Sequence, residues 1–252
     1  MPETIESRVG DGVGTLTLSR YEKRNALNGQ LFTEMADQLE AWREDDSVAA
    51  VVITGGEEVF SAGLDLDTHA LFTEESRKEY TEICRRIYGG LLDYPKATIA
   101  ACAGPTLGGG CDIAVFSDIR IASEGARFGY PQIKLGLTPF FSPLWKIVGL
   151  SQAKLLTLSG ELIHAHEALR IGLVDRLVPR GEVVETATEL ARSIAATTVD
   201  SVLMNKGMAL RSPAMDPISA FAFEMECYRV VTSQPAVIER VTEGLARVRG
   251  RA

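Results

Sequence analysis

Ala97-Thr98-Ile99-Ala100-Ala101-Cys102-Ala103-Gly104-Pro105-Thr106-Leu107-Gly108-Gly109-Gly110-Cys111-Asp112 contains three signals in succession. Residues 97–103 form a nearly continuous apolar run, the pattern of a strand buried on both faces. Gly104-Pro105 ends it. The triple glycine at 108–110 then opens a helix that carries Ile113, Ala114 and Phe116. Ligand sites in open α/β folds gather at the carboxyl ends of strands. Glycine there lets a ligand approach the backbone, and a helix start offers unpaired N–H groups and a positive dipole end. Such a turn can hold a developing oxyanion; by itself it more often serves plain tight packing.

The same organisation recurs outward from this stretch. Val13-Gly14-Thr15-Leu16-Thr17-Leu18, Ala49-Ala50-Val51-Val52-Ile53-Thr54, Asp118-Ile119-Arg120-Ile121-Ala122 and Gly172-Leu173-Val174-Asp175-Arg176-Leu177-Val178 all read as strands. A second glycine turn, Val59-Phe60-Ser61-Ala62-Gly63-Leu64-Asp65-Leu66, follows the second of these. Helices lie between the strands. Asn28 can cap one with Phe32, Met35, Ala36, Leu39 and Trp42 at helical spacing, and another spans about residues 73–92 with Ile83, Ile87 and Leu91 on one face. Alternating strands and helices indicate an α/β domain.

From about Val183 onward the strand signals stop. Pro213 and Pro217 interrupt a helical region, and the last helix is expected to carry Phe221, Phe223, Met225, Tyr228, Val230 and Val231. The division expected is a core over residues 1–195 and a helical region over 196–252. An apolar helical tail packs either on its own domain or on a neighbouring subunit. The chain has 252 residues, 46% of them hydrophobic, and a formal charge of -8, which argues against nucleic acid as a partner. No apolar run reaches the ~20 residues of a membrane helix. The polar, acidic start Met1-Pro2-Glu3-Thr4 has no leader pattern, so the expectation is a cytoplasmic protein with no membrane partner. Cys84, Cys102, Cys111 and Cys227 lack metal spacing and read as reduced, buried thiols. No GxGxxG, GxxxxGK[ST] or GxSxG pattern occurs, which sets aside dinucleotide, phosphate-loop and hydrolase-elbow readings.

The ordered set of motifs resembles the crotonase superfamily, the enoyl-CoA hydratase/isomerase group. Lys23-Arg24-Asn25-Ala26-Leu27-Asn28 resembles its CoA-binding loop. Val52-Ile53-Thr54-Gly55 with Phe60-Ser61-Ala62-Gly63-Leu64-Asp65-Leu66 resembles the first oxyanion segment, and Leu107-Gly108-Gly109-Gly110-Cys111-Asp112 the second. Phe128-Gly129-Tyr130-Pro131 and Ala168-Leu169-Arg170-Ile171-Gly172-Leu173-Val174 are similar to later landmarks. The likeness covers roughly residues 10 to 180 and, more loosely, the tail. It implies a spiral of ββα units with a C-terminal helical trimerisation region, as a homotrimer or dimer of trimers. It implies an acyl-CoA substrate, no metal, and no cofactor beyond the CoA moiety. The implied oxyanion donors are the N–H groups of Leu64 and Gly109. The implied CoA-binding set is Arg24, Asn25, Ala26, Leu27, Ala62, Gly63, Asp65, Leu66 and Gly108. Within it Arg24 is a phosphate partner or a solvated arginine, and Asp65 shapes its loop rather than doing acid–base work.

Hydratases of the family use two glutamates, which can position a water and share its proton traffic. Here those positions hold Asp112 and Gln132, and an amide cannot carry a proton usefully. Leu137-Thr138-Pro139-Phe140-Phe141-Ser142-Pro143-Leu144-Trp145 replaces a glycine-rich stretch and is either a bulkier pocket wall or core. A single carboxylate suffices to move a proton between carbons beside a stabilised enolate. The expectation is therefore an enoyl-CoA isomerase with Asp112 as base. Hydratase, decarboxylase, thioester hydrolase and a non-catalytic acyl-CoA-binding protein stay open. His69 is a base or a surface residue of a lid that also carries Glu74, Glu75, Glu79 and Glu82; His164 and His166 read as surface.

Overall fold

The structure is a computed structural model, and it describes residues 3–70 and 73–249. The elements run β1 (Ile5–Gly10), β2 (Val13–Leu18), α1 (Gly29–Arg43), β3 (Ala50–Thr54), α2 (Leu66–His69), α3 (Glu74–Leu92), β4 (Ala97–Cys102), β5 (Pro105–Leu107) and α4 (Gly109–Phe116). There follow β6 (Ile119–Ser123), β7 (Arg127–Gly129), α5 (Ser142–Ser159), β8 (Leu162–His164), α6 (Ala165–Arg170), β9 (Arg176–Val178), α7 (Val183–Ala195), α8 (Val199–Arg211), α9 (Pro217–Thr232) and α10 (Pro235–Arg249).

Two sheets organise the core. The larger has the order β1-β2-β3-β4-β6-β9, and the smaller β5-β7-β8. β1 and β2 form an antiparallel hairpin; β2 through β9 pair in parallel, with Leu16 opposite Ile53 and Ile53 opposite Ala100. Two successive ββα units are visible, β4-β5-α4 and β6-β7-α5. In each, the first strand joins the large sheet and the second joins the small one, where β5 and β7 pair in parallel. That succession carries the chain spirally from one sheet to the other.

The apolar runs are continuous because both faces of the large sheet are covered. Val51 and Ile53 of β3 and Ala100 and Cys102 of β4 face a core built with Phe32, Ile87 and Ile113 from α1, α3 and α4. Ala50, Val52, Ala97, Ile99 and Ala101 face a second core closed by Val183, Ala187 and Ala191 of α7. Asn28 caps α1, its side chain accepting from Leu31 N–H at 2.9 Å, and Thr73 caps α3 in the same way with Ser76. Glu74 and Glu75 lie in the first turn of α3.

Two expectations need correction. The strand read over residues 172–178 is limited to Arg176–Val178. Gly172 turns the chain out of α6 at φ +78°, and Leu173 and Val174 are buried as plugs whose N–H groups bond to Ala168 O. The helix bearing Phe221 is not the last: α10 restarts at Pro235, a residue suited to a first helical position. β1, β5, β7 and β8 carry no apolar pattern long enough to read; the last three have three residues each. All four cysteines are buried free thiols.

Candidate active site

The turn after β3 is held between two other backbones. On one side Phe60 N–H donates to Ala103 O (2.7 Å), Ser61 N–H to Pro105 O (2.9 Å) and Leu107 N–H to Ser61 O (3.0 Å). On the other, Ala62 N–H donates to Arg24 O (2.9 Å), Leu27 N–H to Gly63 O (2.8 Å) and Asp65 N–H to Leu27 O (2.9 Å). Asn25 locks the assembly. Its amide donates to Gly55 O, Val59 O and Phe60 O at 3.3, 3.1 and 3.2 Å, and Ser61 Oγ donates to Asn25 O at 2.7 Å. Gly63 has φ +91°, and a Cβ there would lie 2.7 Å from Leu107 O, so the two turns meet only because this residue is glycine.

The Leu64 and Gly109 N–H groups have no hydrogen-bond acceptor among the described residues, and both residues line one cavity. The peptide carbonyl joined to each N–H is engaged. Gly63 O accepts from Leu27, and Gly108 O accepts from Asp112 N–H at 2.9 Å. Engaging the carbonyl end polarises the N–H end of the same peptide. Gly109 is also the first residue of α4, where helix geometry leaves N–H groups free. The pair can therefore receive negative charge developing on a carbonyl oxygen.

Asp112, in the first turn of α4, is 3% exposed. Burial raises its pKa well above the carboxylate range; the neighbouring Tyr130 hydroxyl and Phe140 N–H favour the charged form without offsetting burial. Its Oδ1, the Tyr130 hydroxyl and Gln132 Oε1 are all buried with no hydrogen bond of normal geometry. Gln132 sits in the 3-10 turn Pro131–Leu135, and its side chain lies against Gly108. Asp112 and Gln132 both line the cavity, so their buried, unsatisfied oxygens mark a place where a ligand's polar atoms can bind.

The cavity has a volume of ≈ 900 Å³. Ala62, Gly63, Leu64 and Leu66 form one wall, Gly108, Gly109 and Asp112 the floor, and Gln132, Leu135, Leu137, Thr138 and Phe140 another wall. The segment at 137–145 thus divides. Phe140, 46% exposed, walls the cavity, Leu144 is core, Phe141 packs on the core and Trp145 faces outward. The remaining wall is Tyr80, Cys84, Tyr88 and Gly89 of α3 with Phe116 of α4. These residues escape a reading of α3 that follows only Ile83, Ile87 and Leu91; the one signal for them is the four-residue spacing of Tyr80, Cys84 and Tyr88. Burial pushes the Cys84 thiol up to about 11, so the thiol stays protonated at neutral pH.

The CoA-binding set implied by the motifs divides into exposed backbone and buried clamp. Arg24 is exposed at φ 51°, Ala26 is half-buried, and Leu66 is 50% exposed at the cavity mouth. The side chains of Asn25, Leu27 and Asp65 are turned into the protein. Asp65 pairs with Arg20 Nη2 at 2.8 Å and accepts from Thr68 N–H at the start of α2. Burial alone would raise its pKa, but the Arg20 hydrogen bond and charge hold it below the usual range. Glu79 and Glu82 are exposed on α3 and His164 and His166 are exposed, while the side chain of His69 lies outside the described residues. Among the described residues no group of three His, Cys, Asp or Glu side chains could hold a metal, and no helix is long and apolar enough to cross a membrane.

Residues 8–246 match the family model described as enoyl-CoA hydratase/isomerase. The chain is similar to the short-chain-enoyl-CoA hydratase of Clostridium acetobutylicum, with 39% identity over 86% of this chain and 84% of the relative. It is 37% identical to the 2,3-dehydroadipyl-CoA hydratase of Escherichia coli over 77% of this chain and 76% of that one. Its fold is similar to the crystal structure of enoyl-CoA hydratase from Bacillus anthracis, with a TM-score of 0.92, 28% identity, and coverage of 97% of this chain and 96% of that one. The two interlocked glycine turns, the unpaired N–H groups at their meeting point and these matches agree: the chain belongs to the enoyl-CoA hydratase/isomerase family of the crotonase superfamily.

Proposed function

We propose that the protein binds an enoyl-CoA thioester, holds its carbonyl oxygen with the Leu64 and Gly109 N–H groups, and shifts the double bond with Asp112 as the sole proton carrier. The observation that carries this reading is the single buried carboxyl beside two unpaired N–H groups, with an amide at the second polar position. The ionised Asp112 takes a proton from the carbon next to the carbonyl of a 3-enoyl-CoA. The C–H electron pair moves into the dienolate, whose negative charge rests on the thioester oxygen. Asp112 returns the same proton to the far end of the dienolate, giving the conjugated 2-enoyl-CoA. Gln132 takes no proton; its amide orients the acyl group or a bound polar atom. The CoA moiety runs past Arg24, Ala26, Ala62, Leu66 and Gly108, with Asn25, Leu27, Gly63 and Asp65 holding that backbone in place. No further cofactor enters the reaction.

The hydratase names of the relatives favour a second reading. Asp112 and Gln132 would then hold a water between them; its oxygen would bond to the 3-carbon, while Asp112 alone takes the water's proton and delivers it to the 2-carbon. An ultraviolet assay with 3-enoyl-CoA and, separately, 2-enoyl-CoA esters of several lengths distinguishes the two. Growth of the conjugated-thioester absorbance from the 3-enoyl ester is expected. Its loss from the 2-enoyl ester, with no growth from the 3-enoyl one, would replace isomerisation by hydration.

A further inference from the structure

Tyr88 lies on α3, away from both glycine turns in sequence, yet reaches one of them. Its hydroxyl donates to Gly109 O at 3.3 Å, and a Cβ on Gly109 would lie 3.1 Å from that hydroxyl. Its ring is packed from three sides, with centroids 5.9 Å from Phe32, 5.0 Å from Phe116 and 4.9 Å from Phe140. The ring is therefore fixed before any ligand arrives. Its target is the first carbonyl of α4, within a run of three glycines. Gly108, Gly109 and Gly110 lack side chains, and glycine has access to more backbone conformations than any other residue. Gly108 N–H is tied to Gly129 O at 2.9 Å, and Gly108 O to Asp112 N–H at 2.9 Å. The Tyr88 hydroxyl adds a tie on the far side of Gly109. Burial keeps that hydroxyl protonated, hence a donor, across the working pH range.

We propose that Tyr88 is a positioning residue: its hydroxyl pins Gly109 so that the Gly109 N–H points into the cavity at the thioester oxygen. The inference rests on the reading of Leu64 and Gly109 as oxyanion donors. It goes beyond that reading by assigning the aim of one donor to a side chain on a different helix. A displaced donor weakens only interactions that strengthen as charge develops, so the loss falls on kcat rather than on KM.

The test is the absorbance of bound cinnamoyl-CoA, whose conjugated carbonyl shifts to longer wavelength when its oxygen is polarised, read beside steady-state kinetics. Wild-type protein is expected to produce the shift. Tyr88→Phe keeps the ring and removes only the hydroxyl. It is expected to bind within about twofold of wild type, to show a smaller shift, and to lose roughly fivefold in kcat at unchanged KM, the effect of one neutral hydrogen bond. Tyr94→Phe removes another buried tyrosine hydroxyl, one that donates to Leu39 O at 2.8 Å away from the cavity, and is expected to keep the shift. A full shift and full kcat in Tyr88→Phe would overturn the proposal, as would an equal loss of shift in Tyr94→Phe. No shift in wild-type protein that binds the probe would instead remove the oxyanion reading, and this inference with it.

Discussion

Placing the Asp112 carboxyl in a cavity shared with Tyr80, Tyr88, Phe116 and Phe140 raises its pKa through desolvation, and this has two measurable consequences of opposite sign. As a base, Asp112 works only when ionised, so kcat/KM is expected to rise with pH through a value above the ordinary carboxylate range and then level off. For stability the sign reverses. A carboxyl whose folded pKa exceeds its unfolded one binds more protons when folded, so stability falls as pH rises from the unfolded pKa towards the folded one. Asp112→Asn removes that cost. It is expected to raise Tm at neutral pH, with the gain shrinking as pH falls towards 4. An equal Tm change at all pH values would show that the carboxyl is not held protonated by the fold. Asn25 acts differently, through its three amide hydrogen bonds to backbone carbonyls. Asn25→Ala is expected to cost roughly 2–4 kcal/mol in denaturant unfolding, because it leaves buried carbonyls unpaired. Asn25→Asp should be worse, since it turns a carboxylate toward them. Both Asn25 and Gln132 could be singled out from sequence; that one is a clamp and the other an orphan at the cavity depends on neighbours distant in the chain.

At the scale of elements, legibility follows length and pattern. α1 is readable because Asn28 caps it and its apolar residues repeat at helical spacing, and β3 and β4 because both faces are buried. β5, β7 and β8 are too short for a period to show, yet the pairing of β5 with β7 brings Leu107 opposite Gly129 and so sets the position of the second turn. The aromatic wall was hidden for a related reason: Tyr80, Tyr88 and Phe116 look like ordinary core from sequence, and only the fold shows a cavity beside them. The segment at 137–145 illustrates the same limit, since apolar character alone did not separate Phe140, which faces the cavity, from Leu144, which is core. Phe140→Ala should open that wall. Competition assays are expected to show the preference shifting toward longer or bulkier acyl chains by roughly tenfold, the scale of one or two methylenes in an apolar pocket. An unchanged chain-length profile would place the acyl group elsewhere.

For the whole molecule, the C-terminal helices carry more apolar surface than one chain covers. Ile218 is 83% exposed, and Phe221, Met225 and Tyr228 follow it at helical spacing along α9; Val241, Leu245 and Val248 of α10 are exposed as well. Leu150, Leu155 and Leu158 of α5 are also exposed. Exposed apolar side chains in this number suit contact with further copies, and the assembly we propose is a homotrimer or a dimer of trimers. α8 meanwhile is tied to the core through Lys206, which bonds to Asp118 at 2.7 Å and to Lys96 O at 2.8 Å. Sedimentation equilibrium is expected to give a multiple of three chains, and Phe221→Glu should lower it. A monomer at micromolar concentration would mean that the tail is covered in some other way. The apolar tail is legible in the sequence, and so is the helical spacing of Ile238, Val241, Leu245 and Val248 in α10; the break between the two helices is marked only by Pro235.

Turnover and binding measured side by side in Asp112→Asn bear most directly on the mechanism. The substitution keeps the side chain's size and removes its ability to carry a proton. Conversion of 3-enoyl-CoA is expected to fall by at least about a thousandfold, within the range general acid–base catalysis commonly supplies, while affinity for the thioester stays within about threefold. Turnover near the wild-type rate in that variant would contradict the assignment of Asp112 as the proton carrier.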